Sequence, residues 1–185
     1  MGNRGILHDG QRRIVKEWAH KNWIACDPSY RGIDRTPLFQ PKRYSELFFL
    51  DEATAFAAGH RPCNYCQHAR FAKFRQAWQD AYPGSSLTAE EIDARIHADR
   101  VLRNRTKLTF QSAMTALPEG TFLELNQEAL LVYGGGLWKW SFNGYSYAAA
   151  IDDSEVTVLT PRCLVDVFRS GFRPSVHESV TTARV

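Results

Sequence analysis

The chain has 185 residues, 44% of them hydrophobic and 23% charged, with no low-complexity tract. That composition excludes a disordered or fibrous protein, and no apolar run reaches the roughly 18 residues that a membrane span needs. The net charge of +3 conceals an asymmetry, because residues 1–110 carry 18 Lys and Arg against 12 Asp and Glu while residues 111–185 carry 5 against 8.

The elements predicted in chain order change character part-way along. Ile14, Val15 and Trp18 suggest a short amphipathic helix over residues 10–20. Residues 23–26 read as a brief strand that Asp27-Pro28-Ser29 ends, since proline cannot donate to a ladder. A loop rich in Arg, Pro and Gly follows, and the aromatic and apolar run 44–50 suggests a second strand. Asp51 suits the N-cap of a helix over 52–58, with Gly59 in the left-handed position after it. Phe71, Phe74 and Trp78 recur at helical spacing and predict a helix over 64–81. Thr88 and Glu91 form a capping box for a further helix that runs to about residue 104.

From about residue 120 the period drops to two. Segments 121–125, 129–133, 137–142 and 145–149 read as successive antiparallel strands. Gly134-Gly135-Gly136 marks one turn and Asn143-Gly144 another, which sets Phe142 opposite Tyr145 and Trp140 opposite Tyr147. Residues 156–159 add a strand, and Thr160-Pro161 opens a final helix that ends at Gly171. The expected fold class is α+β. A helix-rich, thiol-bearing part (1–110) packs on an antiparallel β-meander with a C-terminal helix (111–185), and the two form one compact unit.

The chemistry concentrates in Ala57-Ala58-Gly59-His60-Arg61-Pro62-Cys63-Asn64-Tyr65-Cys66. Two cysteines separated by two residues can aim both sulfurs at one point, as tetrahedral metal coordination requires. Cys26 supplies a third thiol from upstream. A fourth ligand is not evident: His8, His20, His60, His68, Cys163 or water are the candidates. A metal-free packing pair and a redox couple are the alternatives for the CxxC pair, and redox chemistry lacks the strand–helix context it needs. The first residues lack the apolar core of a signal peptide, so a cytoplasmic location with reduced thiols is expected.

The segment from Trp23 to Cys66 resembles the zinc-binding, methyl-phosphotriester-repair domain of the bacterial Ada protein. The likeness rests on Cys26-Asp27-Pro28-Ser29-Tyr30, on Phe48-Phe49-Leu50-Asp51-Glu52-Ala53, and on the Ala-Ala-Gly-x-Arg-Pro-Cys-x-x-Cys element that ends at Cys66. It implies that Cys26, Cys63 and Cys66 bind zinc, that Cys26 matches the methyl acceptor, and that DNA is the partner. The sequence departs from the pattern at Tyr30, where a cysteine is expected, and at Asp27, where an arginine is expected.

Other candidates are weaker. Asp93, His97 and Arg100 share one face of the helix that Thr88 opens, a spacing open to acid–base chemistry in a small hydrolase or transferase or to an ordinary charged face. Arg61, Arg70 and Lys73 are candidate nucleic-acid contacts, with Arg75, Arg95, Arg100, Arg103, Arg105 and Lys107 extending the basic run. A non-catalytic interaction module braced by its thiols is the remaining reading. Trp138 and Trp140 alternate on one strand, an arrangement that belongs more often to a core than to a base-stacking surface.

Overall fold

A computed structural model describes residues 1–85 and 88–182. The fold is α+β, built on a small three-stranded sheet, a set of short helices and a six-stranded antiparallel meander. Among the described residues no helix is long and apolar enough to cross a membrane.

The small sheet positions the thiols. Strand β1 (Gly2–Asn3) pairs antiparallel with β2 (Ile24–Ala25), and β2 pairs in parallel with β3 (Arg61–Pro62). Each strand is two residues long, and β3 is an edge strand, where Pro62 is tolerated because the bonds to β2 come from Arg61 N and Cys63 N on either side of it.

Two expectations for the first fifty residues fail, each for a physical reason. Residues 10–20 form turns rather than a helix. The Asp9 carboxylate accepts from the backbone N–H of Gln11 and Arg13, a local bond that competes with helix, and Arg12 adopts a φ of 60°. Ile14 and Val15 remain 50% and 58% exposed, so no apolar face is buried to stabilise a helix there. The run 44–50 is not a strand either. It lies along the N-terminal residues through single contacts, a bridge from Leu47 to Gly2 and a bond from Ser45 N to Gly5 O.

The helices follow the sequence more closely. Helix α1 (Glu52–Ala57) carries a reciprocal cap, in which Asp51 accepts from Thr54 N at 2.8 Å and Asp51 N donates to the Thr54 hydroxyl. Gly59 then takes a φ of 79°. Helix α2 (His68–Ala81) begins four residues later than expected because 64–67 wind as turns around the thiols. Helix α3 (Ala89–Arg100) is capped by Thr88 and stops at Arg100.

The meander comprises β4 (Phe110–Ala113), β5 (Phe122–Leu125), β6 (Glu128–Tyr133), β7 (Gly136–Ser141), β8 (Gly144–Ala150) and β9 (Glu155–Val158), in the order β4-β9-β5-β6-β7-β8. β4, which pairs with β9, has no sharp alternation and is not evident in the sequence. The β7–β8 hairpin turns one residue earlier than expected: Ser141 pairs with Gly144, so Trp140 faces Tyr145 and Trp138 faces Tyr147. Phe142 therefore sits in the turn, 86% exposed. Trp138 is a core residue. Helix α4 (Arg162–Arg169) and the short α5 (Ser179–Thr182) complete the chain.

One apolar cluster unites Phe56, Phe71, Phe74, Trp78, Ile92 and Ile96 with Leu164, Val167 and Phe168 of α4. Residues 1–110 and 111–185 thus share this cluster, while a second one, from Met114 to Val165, lies within the C-terminal part.

Candidate metal centre

The parallel pairing of β2 and β3 explains why distant thiols meet. It sets Ala25 beside Pro62, so Cys26 and Cys63 leave the sheet together. Cys63 N donates to Ala25 O at 2.9 Å. The turn that follows carries Cys66 back: Gln67 N donates to Cys63 O at 3.0 Å and the Gln67 amide reaches Ala25 O at 2.8 Å. The Sγ atoms of Cys26, Cys63 and Cys66 all lie within 4.8 Å of one another, and all four cysteines are free thiols. Tetrahedral zinc, with Zn–S near 2.3 Å, requires sulfurs about 3.8 Å apart. Separations within 4.8 Å admit that spacing.

The surroundings favour negative charge on one sulfur, Cys63. Asp27 N donates to Cys66 Sγ at 3.3 Å. A bond from the Cys26 thiol, with the backbone N–H groups of Cys66 and Tyr65, holds Cys63 down to about 5. Donating to Cys63, together with burial, pushes Cys26 up, and burial pushes Cys66 up. Without metal the cluster is one thiolate held by two thiols. With zinc it would be three thiolates carrying a net negative charge, their backbone donors already aimed at sulfur.

The proposed fourth ligands are all engaged elsewhere or remote. Among the described residues no histidine or carboxylate joins the three sulfurs. His8 Nδ1 bonds the Ser45 hydroxyl at 2.6 Å and its ring stacks on Phe39. His68 faces the Asn64 amide at 3.1 Å, and His20 is on the surface. Cys163 is buried in the helical core. His60 packs against Phe49 and Trp23, and its Nε2 accepts from Arg4 Nε at 3.2 Å. Cys26 instead lies on the wall of a cleft of about 410 Å³, which Asp27, Asp51, Glu52 and Arg70 also line.

No family model, no curated protein and no solved structure matches this chain.

Tyr30 packs on Tyr65 with ring centroids 5.5 Å apart. The Arg31 guanidinium lies over both rings, 5.2 and 5.9 Å from their centroids, and Tyr65 is 71% exposed. This aromatic and basic patch beside Cys66 escaped the sequence reading. Its one signal is Tyr65 inside the CxxC pair, which a solvated position rarely needs.

The Asp93, His97 and Arg100 side chains do not converge on a reactive point. Asp93 binds Arg61 through two bonds, Nε–Oδ1 at 2.8 Å and Nη2–Oδ2 at 2.7 Å. Arg100 donates to the Gly59 and Lys21 carbonyls and meets His97 Nδ1 at 2.8 Å. Arg61 is thus internal, not a surface phosphate contact, because its guanidinium fork is spent on a buried carboxylate. Arg70 is paired with Glu52 and donates to Arg173 O, leaving it half-buried on the edge of the Cys26 cleft. Lys73 stays exposed on α2.

His60 gives a pH prediction. It is fully buried, its Nδ1 has no partner, and burial followed by the charges of Arg4 and Arg100 holds its pKa well below the usual value. A base with a depressed folded pKa leaves the unfolded chain with the extra proton, so stability falls as pH drops below about 6.5. The expected slope from this residue is about 1.4 kcal/mol per pH unit. Calorimetric melting between pH 7.5 and 5 should show the loss, and His60→Gln should flatten it. An unchanged slope in that variant would assign the acid sensitivity elsewhere.

Proposed function

We propose that this protein is a zinc–thiolate protein that contacts DNA or another nucleic acid, with a knuckle akin to that of the Ada repair domain. The observation that carries the reading is the convergence of Cys26, Cys63 and Cys66 within 4.8 Å from two separate stretches of chain. Zinc held there would keep the three sulfurs as thiolates and leave one coordination position for water or a ligand. Cys26, the thiol on the cleft wall, is the sulfur best placed to meet an incoming group.

The surface beside the cluster supports the nucleic-acid part. Tyr30, Arg31 and Tyr65 form a patch next to a loop that carries Arg35, Lys42 and Arg43 against a single acid, Asp34. The exposed Tyr65 and the half-buried Tyr30, interleaved with arginines, suit base stacking and phosphate contact.

Elemental analysis of untagged protein should find close to one zinc per chain. Fluorescence anisotropy with duplex and single-stranded DNA should show affinity that drops steeply between about 50 and 200 mM salt and weakens in Tyr65→Ala and Arg31→Ala. Clean protein that neither holds nor takes up zinc, and shows no DNA affinity at low salt, would remove the proposal. If Cys63→Ser lowers only the melting temperature while all binding survives, the thiols simply brace an interaction module.

A further inference from the structure

A second concave site lies where the end of α1, the end of α3 and the loop 101–107 meet Trp23. It measures about 290 Å³, and Arg4, Arg100, Arg105, Lys107, Trp18 and Trp23 line it. Glu17 is the only carboxylate on its wall, so four cations face one anion. Among the described residues none of the four cations forms an ion pair.

The cations are crowded by construction. The Arg4 and Arg100 guanidiniums lie 3.9 and 3.6 Å from the Trp23 ring centroid, and that of Arg105 lies 5.4 Å from Trp18. Arg100 is 2% exposed, and its Nε is buried without a partner. The backbone makes room for it: a Cβ on Gly59 would sit 2.5 Å from Arg100 Cδ, so this glycine serves close approach as well as its φ of 79°. Lys107 turns its ammonium onto Ala57 O at 2.8 Å, which occupies one of three donors. Burial and then the like charge of Arg4 lower Arg100 to about 9. Holding the Gly59 and Lys21 carbonyls needs Arg100 alone. It does not account for Arg4, Arg105 and Lys107 around the same hollow.

We propose that this pocket binds a phosphomonoester group, with its terminal oxygens met by Arg4, Arg105 and Lys107 and its bearer set against Trp18. A dianion with three terminal oxygens answers both the excess charge and the several free donors, and planar guanidinium forks match phosphate geometry. The volume admits the phosphate and part of what carries it, at the lower bound of small-ligand pockets. The group could sit on a free nucleotide or sugar phosphate or at the end of a nucleic-acid strand, and the shared chemistry is the phosphomonoester.

Tryptophan fluorescence and calorimetry on the full chain should test this with inorganic phosphate, adenosine monophosphate, and one oligonucleotide carrying either a 5′-phosphate or a 5′-hydroxyl. Phosphate and the monophosphate should bind saturably at one site. Arg105→Ala, whose side chain is exposed and makes no hydrogen bond with the protein, should weaken binding about tenfold or more while keeping the parent melting temperature. Arg103→Ala, outside the pocket, should bind as the parent does. An oligonucleotide that binds at least tenfold tighter with its 5′-phosphate than without, and tighter than the mononucleotide, would identify a strand end as the source. Equal affinity for mononucleotide and phosphorylated strand would identify a small molecule. The proposal is overturned by an absence of binding up to roughly 10 mM, by sulfate competing as well as phosphate, or by parent-like affinity in Arg105→Ala and Lys107→Gln. Zinc content and duplex binding report on the metal centre separately, so either reading can fail alone.

Discussion

Asp93→Asn is expected to destabilise the protein by about 3–5 kcal/mol, the cost of leaving a buried charge without its partner. At about 2–4 °C per kcal/mol for a chain of this size, the melting temperature should fall by roughly 6–20 °C. Burial sets the size of the effect: Arg61 is 5% exposed, Asp93 is 2% exposed, and two direct hydrogen bonds join them. Asparagine keeps the shape of the carboxylate but leaves the Arg61 guanidinium buried and uncompensated. The pair is not therefore a large net stabiliser. Burial pushes the Asp93 carboxyl up even though Arg61 pulls it down, so desolvation offsets much of the attraction. Replacing both partners, Arg61→Met with Asp93→Leu, should consequently cost far less than either single change. The single substitution should also weaken metal uptake, because Arg61 belongs to β3 and Asp93 to α3, and their bond pins the strand leading into Cys63 to the helical core. Thermal melting of the two single variants and the double variant measures the coupling. An Asp93→Asn protein that melts within about 2 °C of the parent would mean that the pair has access to water and holds nothing in place.

The same pair marks where sequence reasoning stops. Local signals were legible: the Asp51 and Thr88 caps, the Gly134-Gly135 turn and the aromatic stripe of α2 all depend on residues a few positions apart. The approach of Cys26 to the CxxC pair was legible as well, because thiol chemistry gives those residue types a reason to meet. What was hidden depends on contacts between separate stretches. Arg61 beside Pro62 and Cys63 has the composition of a phosphate contact, and nothing near it in sequence points to Asp93 on α3. Likewise, the spacing of Asp93, His97 and Arg100 gave one helix face but not what that face meets, which is Arg61 at one end and the Gly59 and Lys21 carbonyls at the other. Residues 10–20 misled for the opposite reason. Their apolar period is real, but the Asp9 turn and the lack of a surface to cover outweigh it. The cationic pocket was equally out of view, since Arg4, Arg100 and Lys107 come together only after β2 and the end of α3 are in place.

Removing metal should be the other large perturbation. If zinc is bound at free concentrations about a thousandfold above its dissociation constant, it stabilises the folded state by about 4 kcal/mol, so chelation should lower the melting temperature by roughly 8–16 °C. Cys63→Ser should reproduce this loss and bring bound zinc close to zero. Cys63 is the thiol through which the β2–β3 pairing, by way of the bond to Ala25 O, and the Gln67 turn act together on the cluster. Cys163→Ser serves as the control, because that thiol lies in the helical core and is not among the three converging sulfurs. It should lose some stability from packing yet keep its zinc. Cobalt substitution adds an independent readout, since thiolate ligands produce intense charge-transfer absorption that Cys63→Ser should abolish and Cys163→Ser should retain. Metal content, melting and cobalt absorption should therefore move together across these variants. A chelated protein that melts where the loaded protein does would break that link, because a ligand bound only to the folded state must raise its stability. The three sulfurs would then be held by the β2–β3 pairing and the Gln67 turn alone, and the small sheet would have to be stable without any ion at its end.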